Sequence, residues 1–100
     1  MSEQIALKAI AEPRRRELLE LLRDEGTLSV GELADRVEVT QQAVSLHLKV
    51  LEDAGLVEAR RQGTRHLYAV RPEGFKPVQD FVEGFWSEHL PRLKDTLEGK

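Results

Sequence analysis

The chain has 100 residues, 40% of them apolar and 33% charged, with a formal net charge of −3 at pH 7. That length suits one domain, small enough that a dimer partner would help it bury apolar area. The absence of cysteine removes disulfides, thiolate metal ligands and cysteine nucleophiles together, and the net acidity argues against a generic basic nucleic-acid coat.

The distribution of charge says more than the total. Residues 1–40 carry six Lys/Arg and nine Asp/Glu, residues 72–100 carry four and six, and residues 41–71 carry five and three. Only the middle segment is net positive, and a local basic surface on an acidic protein steers DNA to one face. No segment approaches 18 apolar residues, and Met1 to Lys8 lack a basic start followed by an apolar run. Neither export nor a membrane span is expected, and the expected location is cytoplasmic.

Residues 4–11 are rich in Ala and apolar side chains and favour a short helix. Pro13 suits the first turn of a second helix, where its missing N–H costs nothing. Leu18, Leu19, Leu21 and Leu22 mark the core-facing stripe of that helix. Two readings fit Arg14, Arg15 and Arg16 at its start: a solvated turn with Glu17 and Glu20 at helical spacing, or phosphate contacts.

Gly26 and Thr27 break the pattern. Ser29 and Glu32 then have the spacing of a capping box, which predicts a helix over Val30–Val37 with Val30, Leu33, Ala34 and Val37 buried. Val37, Glu38 and Val39 form a turn into the next helix. Two short helices joined this way, over about residues 30–54, are a helix-turn-helix.

The stretch Thr40–Gly55 reads as one helix with two chemically different sides. At about 100° per residue, Ala43, Val44, His47, Leu48, Leu51 and Ala54 share one broad side. Gln41, Gln42, Ser45 and Lys49 share the other, with Leu46 at its edge. Thr40 can cap the start and Gly55 can end the helix in the left-handed conformation. Two glutamines, a serine and a lysine near a helix N-terminus are groups that can read base edges and hold phosphates in a major groove.

Residues 57–70 alternate with period two around Gly63-Thr64 and predict a hairpin with Gly63 near its tip. It carries Arg60, Arg61 and Arg65, and behind a helix-turn-helix it is a wing. Arg65 beside the tip is placed to reach a minor groove; solvated arginines are the competing reading, strongest for Arg60 and Arg61. Phe75, Val78, Phe81, Val82, Phe85, Trp86, Leu90, Leu93 and Leu97 then form a wide stripe on a last helix over about 75–97. So much aromatic area on a terminal helix predicts a subunit interface, against the alternative that the helix folds back on its own domain. Pro91 predicts a kink or restart. The expected architecture is mostly α, with four helices, a two-stranded β-hairpin wing and a fifth helix, in one winged helix-turn-helix domain over 1–100.

Leu33-Ala34, the turn at Val37-Glu38-Val39-Thr40, the run Ser45-Leu46-His47-Leu48-Lys49-Val50-Leu51 and Ala54-Gly55-Leu56-Val57 resemble the arsenical-resistance-repressor (ArsR/SmtB) family. The wing residues Arg61, Gly63, Arg65 and Tyr68, and the closing Phe85 to Leu93, extend the resemblance over almost the whole chain. It implies a homodimeric repressor, including of its own gene, that binds an imperfect palindrome of double-stranded DNA. Matched positions put DNA contacts on Thr40, Gln41, Gln42, Ser45, His47 and Lys49, with Arg61 and Arg65 on the wing. His47 leans inward by the helical count, so packing or phosphate contact suits it better than base reading. The family's paired first and last helices put Ile5, Ile10, Val78, Phe81, Val82, Phe85, Trp86, Leu90 and Leu93 at the dimer interface.

Two departures from the family pattern stand out. The turn position often held by glycine is Glu38, and a left-handed Glu there would cost about 1 kcal/mol. The neighbourhood where many members carry metal-binding cysteines is Ser29-Val30-Gly31-Glu32. The last helix offers Asp80, Glu83, Glu88 and His89, a poor zinc set, so neither a metal nor another cofactor is expected. An enzyme is not expected either, because His47, His66 and His89 are dispersed and no phosphate loop or nucleophile elbow occurs. The remaining alternatives are a winged helix that binds protein, and a repressor answering a metal or a small ligand. The effector is unassigned.

Overall fold

The computed structural model describes residues 3–88. Its elements are α1 (Glu3–Ala11), α2 (Pro13–Glu25), β1 (Leu28–Ser29), α3 (Val30–Ala34), α4 (Gln41–Asp53), β2 (Val57–Gln62), β3 (Arg65–Val70), a 3-10 turn (Pro72–Phe75) and α5 (Lys76–Glu88). This is the expected winged helix-turn-helix with two additions, a short strand and a 3-10 turn. The short strand β1 was not expected; it pairs antiparallel with β3, Leu28 opposite Tyr68 and Ser29 opposite Leu67. The sheet therefore has three strands in the order β1-β3-β2. Two residues carry no readable alternation, so only the tertiary pairing defines this strand. The expectations on Pro91, Leu90, Leu93, Leu97 and His89 fall outside the described residues.

The corner between α1 and α2 explains the arginine run. The Glu12 carboxylate caps α2 by accepting the backbone N–H groups of Arg14 at 2.7 Å and Arg15 at 3.1 Å. Pro13 follows in the first helical turn, where no N–H is needed. Arg15 Nε donates to the Ala9 carbonyl at 2.6 Å, and Arg16 Nη1 donates to the carbonyls of Ile10 and Ala11 at 2.8 and 2.9 Å. Two guanidinium groups thus satisfy the orphan carbonyls that end α1, a place where a cation also suits the helix dipole. Arg14 pairs with Glu17 at 3.0 Å, as the spacing predicts.

The capping box forms. Glu32 N–H donates to Ser29 Oγ at 3.1 Å, and Ser29 N–H donates to Glu32 Oε1 at 2.8 Å. The helix it starts is shorter than expected, ending at Ala34 instead of Val37. Arg36 N–H bonds only three residues back, to Leu33, and the β-branched Val37 and Val39 that follow favour leaving the helix. Leu33 and Val37 are buried as expected, while Val30 and Ala34 are only half-buried. Among the described residues no non-glycine has a positive φ. Glu38 therefore makes the turn without the left-handed conformation, and its departure from glycine carries no backbone penalty.

Thr40 caps α4, accepting the Ala43 N–H on its hydroxyl at 3.1 Å. At the other end Gly55 turns left-handed, with φ 80°. Gly55 N–H bonds the Glu52 carbonyl at 2.9 Å and Leu56 N–H reaches the Leu51 carbonyl at 3.0 Å. These are the two bonds of a Schellman stop. The hairpin pairs Val57 with Val70 through Gln62 with Arg65. Gly63, with φ 64°, takes the first central position of its two-residue turn, which suits a type II′ turn.

One core joins these pieces. Ala6 and Ala9 of α1, Leu18 and Leu22 of α2, Leu33 of α3, Val44, Leu48 and Leu51 of α4, and Leu56 and Val57 are all buried. Val57, Leu67 and Ala69 anchor the base of the hairpin in this core, while residues 59–66 toward its tip are exposed. The 3-10 turn locks onto the end of α4, where Arg71 N–H donates to the Leu56 carbonyl at 2.8 Å and the buried Gly74 lies directly against the Gly55 backbone.

Candidate nucleic-acid interface

The two sides of α4 separate as the sequence predicts. Val44, Leu48 and Leu51 are fully buried, Ala43 and His47 are half-buried, and Gln41, Gln42, Ser45 and Lys49 are exposed. Capping by Thr40 fixes where the helix begins, and so which residues make up its outward first two turns. Gln41 bends toward α3: its amide nitrogen lies 3.4 Å from where a Cβ on Gly31 would stand, so a glycine there leaves it room. Gln42, Ser45 and Lys49 form the open part of the face.

His47 lies between the two sides. It lies near Glu12, the cap of α2. Desolvation raises the pKa of that carboxyl, but the two backbone N–H bonds from Arg15 and Arg14, with His47 and Arg15 nearby, outweigh it and hold Glu12 below the usual glutamate value. The position supports the inward lean of His47.

Of the Lys and Arg side chains on α4 and the wing, Lys49, Arg60 and Arg65 each have a carboxylate partner within the chain. Lys49 Nζ lies 3.0 Å from Asp53 one turn on, a bond that raises its pKa. Arg60 pairs with Glu58 at 2.7 Å. Arg65 Nη2 reaches across to Glu32 Oε1 at 2.9 Å, joining the wing to the capping box of α3. The Ser29 N–H bond is the leading cause of the lowered pKa of Glu32, with Arg65 adding to it. Arg61 Nη2 stands 3.3 Å from His66 Nε2 on the opposite strand. The sequence did not reveal the Arg65–Glu32 pair, because 33 residues separate its members.

Sequence reasoning also set Leu46 at the edge of the outer face. The structure bares it to 69%, among the polar residues. Four residues after Gln42 is a rotation of about 40°, and that count was the available signal.

On the expected dimer surface, Ile5, Phe81, Val82, Phe85 and Trp86 are exposed, and Phe81 and Phe85 stack edge to face with centroids 5.1 Å apart. Ile10 and Val78 differ from them, being half-buried and packed against the core. Asp80 pairs with Lys76 at 2.6 Å, and Glu83 accepts from Gln79 at 3.0 Å. Among the described residues no group of three His, Asp or Glu side chains is arranged to hold a metal ion, and no helix is long and apolar enough to cross a membrane.

Comparison with known proteins places this architecture. A helix-turn-helix domain family matches residues 10–60. The HTH-type transcriptional regulator Rv2034 of Mycobacterium tuberculosis is 42% identical over 95% of this chain and 88% of its own length. The arsenical resistance operon repressor of Bacillus subtilis is 36% identical over 83% of this chain and 72% of its own. Among solved structures, a possible transcriptional regulator for arsenical resistance superposes with a TM-score of 0.73 at 38% identity, covering 87% of this chain and 90% of its own. The homodimeric winged helix-turn-helix DNA-binding domain Mb0332 from Mycobacterium bovis, a possible ArsR-family regulator, gives 0.68 at 34% identity, covering 87% and 80%. With its recognition-type helix, wing and exposed terminal-helix face, the chain belongs to the ArsR family of winged helix-turn-helix transcriptional regulators.

Proposed function

We propose that the protein is a cytoplasmic homodimeric repressor, not an enzyme, that binds an imperfect palindrome without a metal. One observation carries the reading: α4 holds Gln42, Ser45 and Lys49 outward and exposed, on a helix whose other side is sealed into the core. Two copies of α4 in successive major grooves would read two half-sites. The apolar surface of Ile5, Phe81, Val82, Phe85 and Trp86 supports pairing of two chains, and one solved relative is described as homodimeric. Repression needs only occupancy of promoter DNA, which the dimer itself supplies. Among the relatives the HlyU protein of Vibrio cholerae is named an activator, so the sign of regulation is part of the test.

Selection of bound duplexes from a random pool, with and without zinc, tests this reading. A palindrome enriched in both arms supports it, and a reporter driven through that palindrome should fall when the protein is expressed. Gln42→Ala should relax preference at one position by about 1–3 kcal/mol. Lys49→Ala should weaken all sequences alike and flatten the salt dependence. No enrichment in either arm would replace this reading with a protein-binding winged helix. A small-ligand response has one observation in its favour, an apolar cavity of about 410 Å³ lined by Leu19, Glu20, Arg23, Val70, Pro72 and Phe75.

A further inference from the structure

We infer that Leu46 is a specificity-determining residue that packs on the C5-methyl group of a pyrimidine in the major groove. The inference rests on the reading of α4 as a recognition helix. At 69% exposure Leu46 is the most exposed large apolar side chain among the described residues. By helical rotation it stands about 40° from Gln42, closer to the centre of the outward face than Ser45, which stands about 60° away. Its neighbours there, Gln42, Ser45 and Lys49, are all exposed. The core of α4 is filled by Val44, Leu48 and Leu51, each at 0% exposure, so Leu46 adds nothing to it.

The other bared apolar side chains belong to different surfaces. Ile5, Phe81, Val82, Phe85 and Trp86 lie on α1 and α5. Val50, one turn after Leu46, lines a recess between α1 and α4 with Ile5, Lys8 and Ala9, and Leu46 is not part of that lining. Leu46 is therefore an apolar group set among groove-reading polar ones.

The major groove offers one apolar feature, the C5-methyl of thymine; the other base-edge groups there are hydrogen-bond donors or acceptors. A leucine cannot bond to them. Pressed on a cytosine amino group it would strip water without replacing the bond, whereas pressed on a methyl group it removes two apolar surfaces from water together. Burying one methyl is worth about a fourfold gain in affinity per half-site. Thymine and 5-methylcytosine present the same group. Gln42 sits about 6 Å nearer the helix start, so the amide and the leucine would address different base pairs of one half-site.

The test uses the full chain and its selected duplex, with each thymine replaced in turn by deoxyuridine and each cytosine by 5-methylcytosine. For wild-type protein, losing one thymine methyl in a single half-site should weaken binding about fourfold, and losing it in both about sixteenfold, and Leu46→Ala should be indifferent to the same replacements. A methyl effect found only at a methylated cytosine, and absent from Leu46→Ala, supports the inference with that base as the source. Wild-type binding that ignores every replacement overturns it, as does an equal loss in Leu46→Ala. If the duplex stays sensitive to Gln42→Ala in that case, the recognition-helix reading survives; if wild type selects no duplex, both fall. Leu46→Ala should sediment as the wild type does, and its dissociation to monomers would overturn the inference by making Leu46 a subunit contact.

Discussion

Replacing Gly74 by alanine should break the junction between α4 and the last helix. A Cβ built on Gly74 would stand 1.7 Å from the Gly55 carbonyl oxygen and 2.7 Å from its carbonyl carbon, where real contacts stay above 3.0 Å. The obstacle is backbone, so no rotamer change relieves it, and the two segments must part by more than 1 Å. That separation strains the Arg71 N–H bond to Leu56, 2.8 Å long in the native fold, and the Schellman stop beside it. Overpacking of a well-filled site costs about 1–3 kcal/mol, and an immovable backbone neighbour puts this case at the upper end, about 3 kcal/mol. For a domain of this size each kcal/mol moves Tm by roughly 4–8 °C, which gives a fall of about 12–24 °C. Thermal unfolding followed by circular dichroism at matched protein concentration measures it, since dimerisation makes Tm depend on concentration. A Gly74→Ala protein melting within 2–3 °C of wild type, well inside the spread that ~1 kcal/mol would cause, would refute the steric argument.

Other substitutions test the remaining parts. Thr40→Ala removes the cap of α4 and should cost about 1 kcal/mol, read as a lower urea midpoint; restoration by Thr40→Ser but not by Thr40→Val would identify the hydroxyl bond as the cause. Phe81→Ala with Trp86→Ala should shift the sedimentation profile from dimer to monomer, and a double variant still dimeric at micromolar concentration would reassign that face. Glu12 and Glu32 both lie below their usual value of 4.5. Their contribution is therefore complete above about pH 4.5 and is lost as pH falls through the lowered values. Urea midpoints from pH 3 to 7 should drop less steeply on the acid side for Glu12→Gln with Glu32→Gln than for wild type; equal steepness would show that these caps do not drive acid unfolding.

Much of this architecture is written in local chemistry. Ser29 with Glu32, Thr40 before a two-sided helix, Gly55 after it and Gly63 between alternating strands each encode their feature within a few residues, and each takes the form its spacing implies. What the sequence hides is set by partners far along the chain. β1 exists because Leu28 and Ser29 meet Tyr68 and Leu67. Arg15 and Arg16 face the carbonyls that end α1, a role that a run of arginines does not announce. Arg65 meets Glu32 only after the sheet has formed. For the candidate site, periodicity separated the outward polar row from the buried one and set Leu46 at its edge, but only the fold shows how fully that leucine is bared.

The carboxylates beside the basic side chains bear on how DNA would be held. Lys49, Arg60 and Arg65 already have Asp53, Glu58 and Glu32 as counterions, built into the chain itself. A phosphate that recruits one of them exchanges one anion for another. Binding then liberates fewer small ions overall than a tally of basic contacts implies, because each displaced carboxylate gathers cations from solution as it is uncovered. The slope of affinity against salt should fall short of the ~0.9 per phosphate that bare cations produce. Non-specific attraction to DNA would be muted by the same arrangement, leaving a larger share of any discrimination to the uncharged side chains of the outward face, Gln42, Ser45 and Leu46.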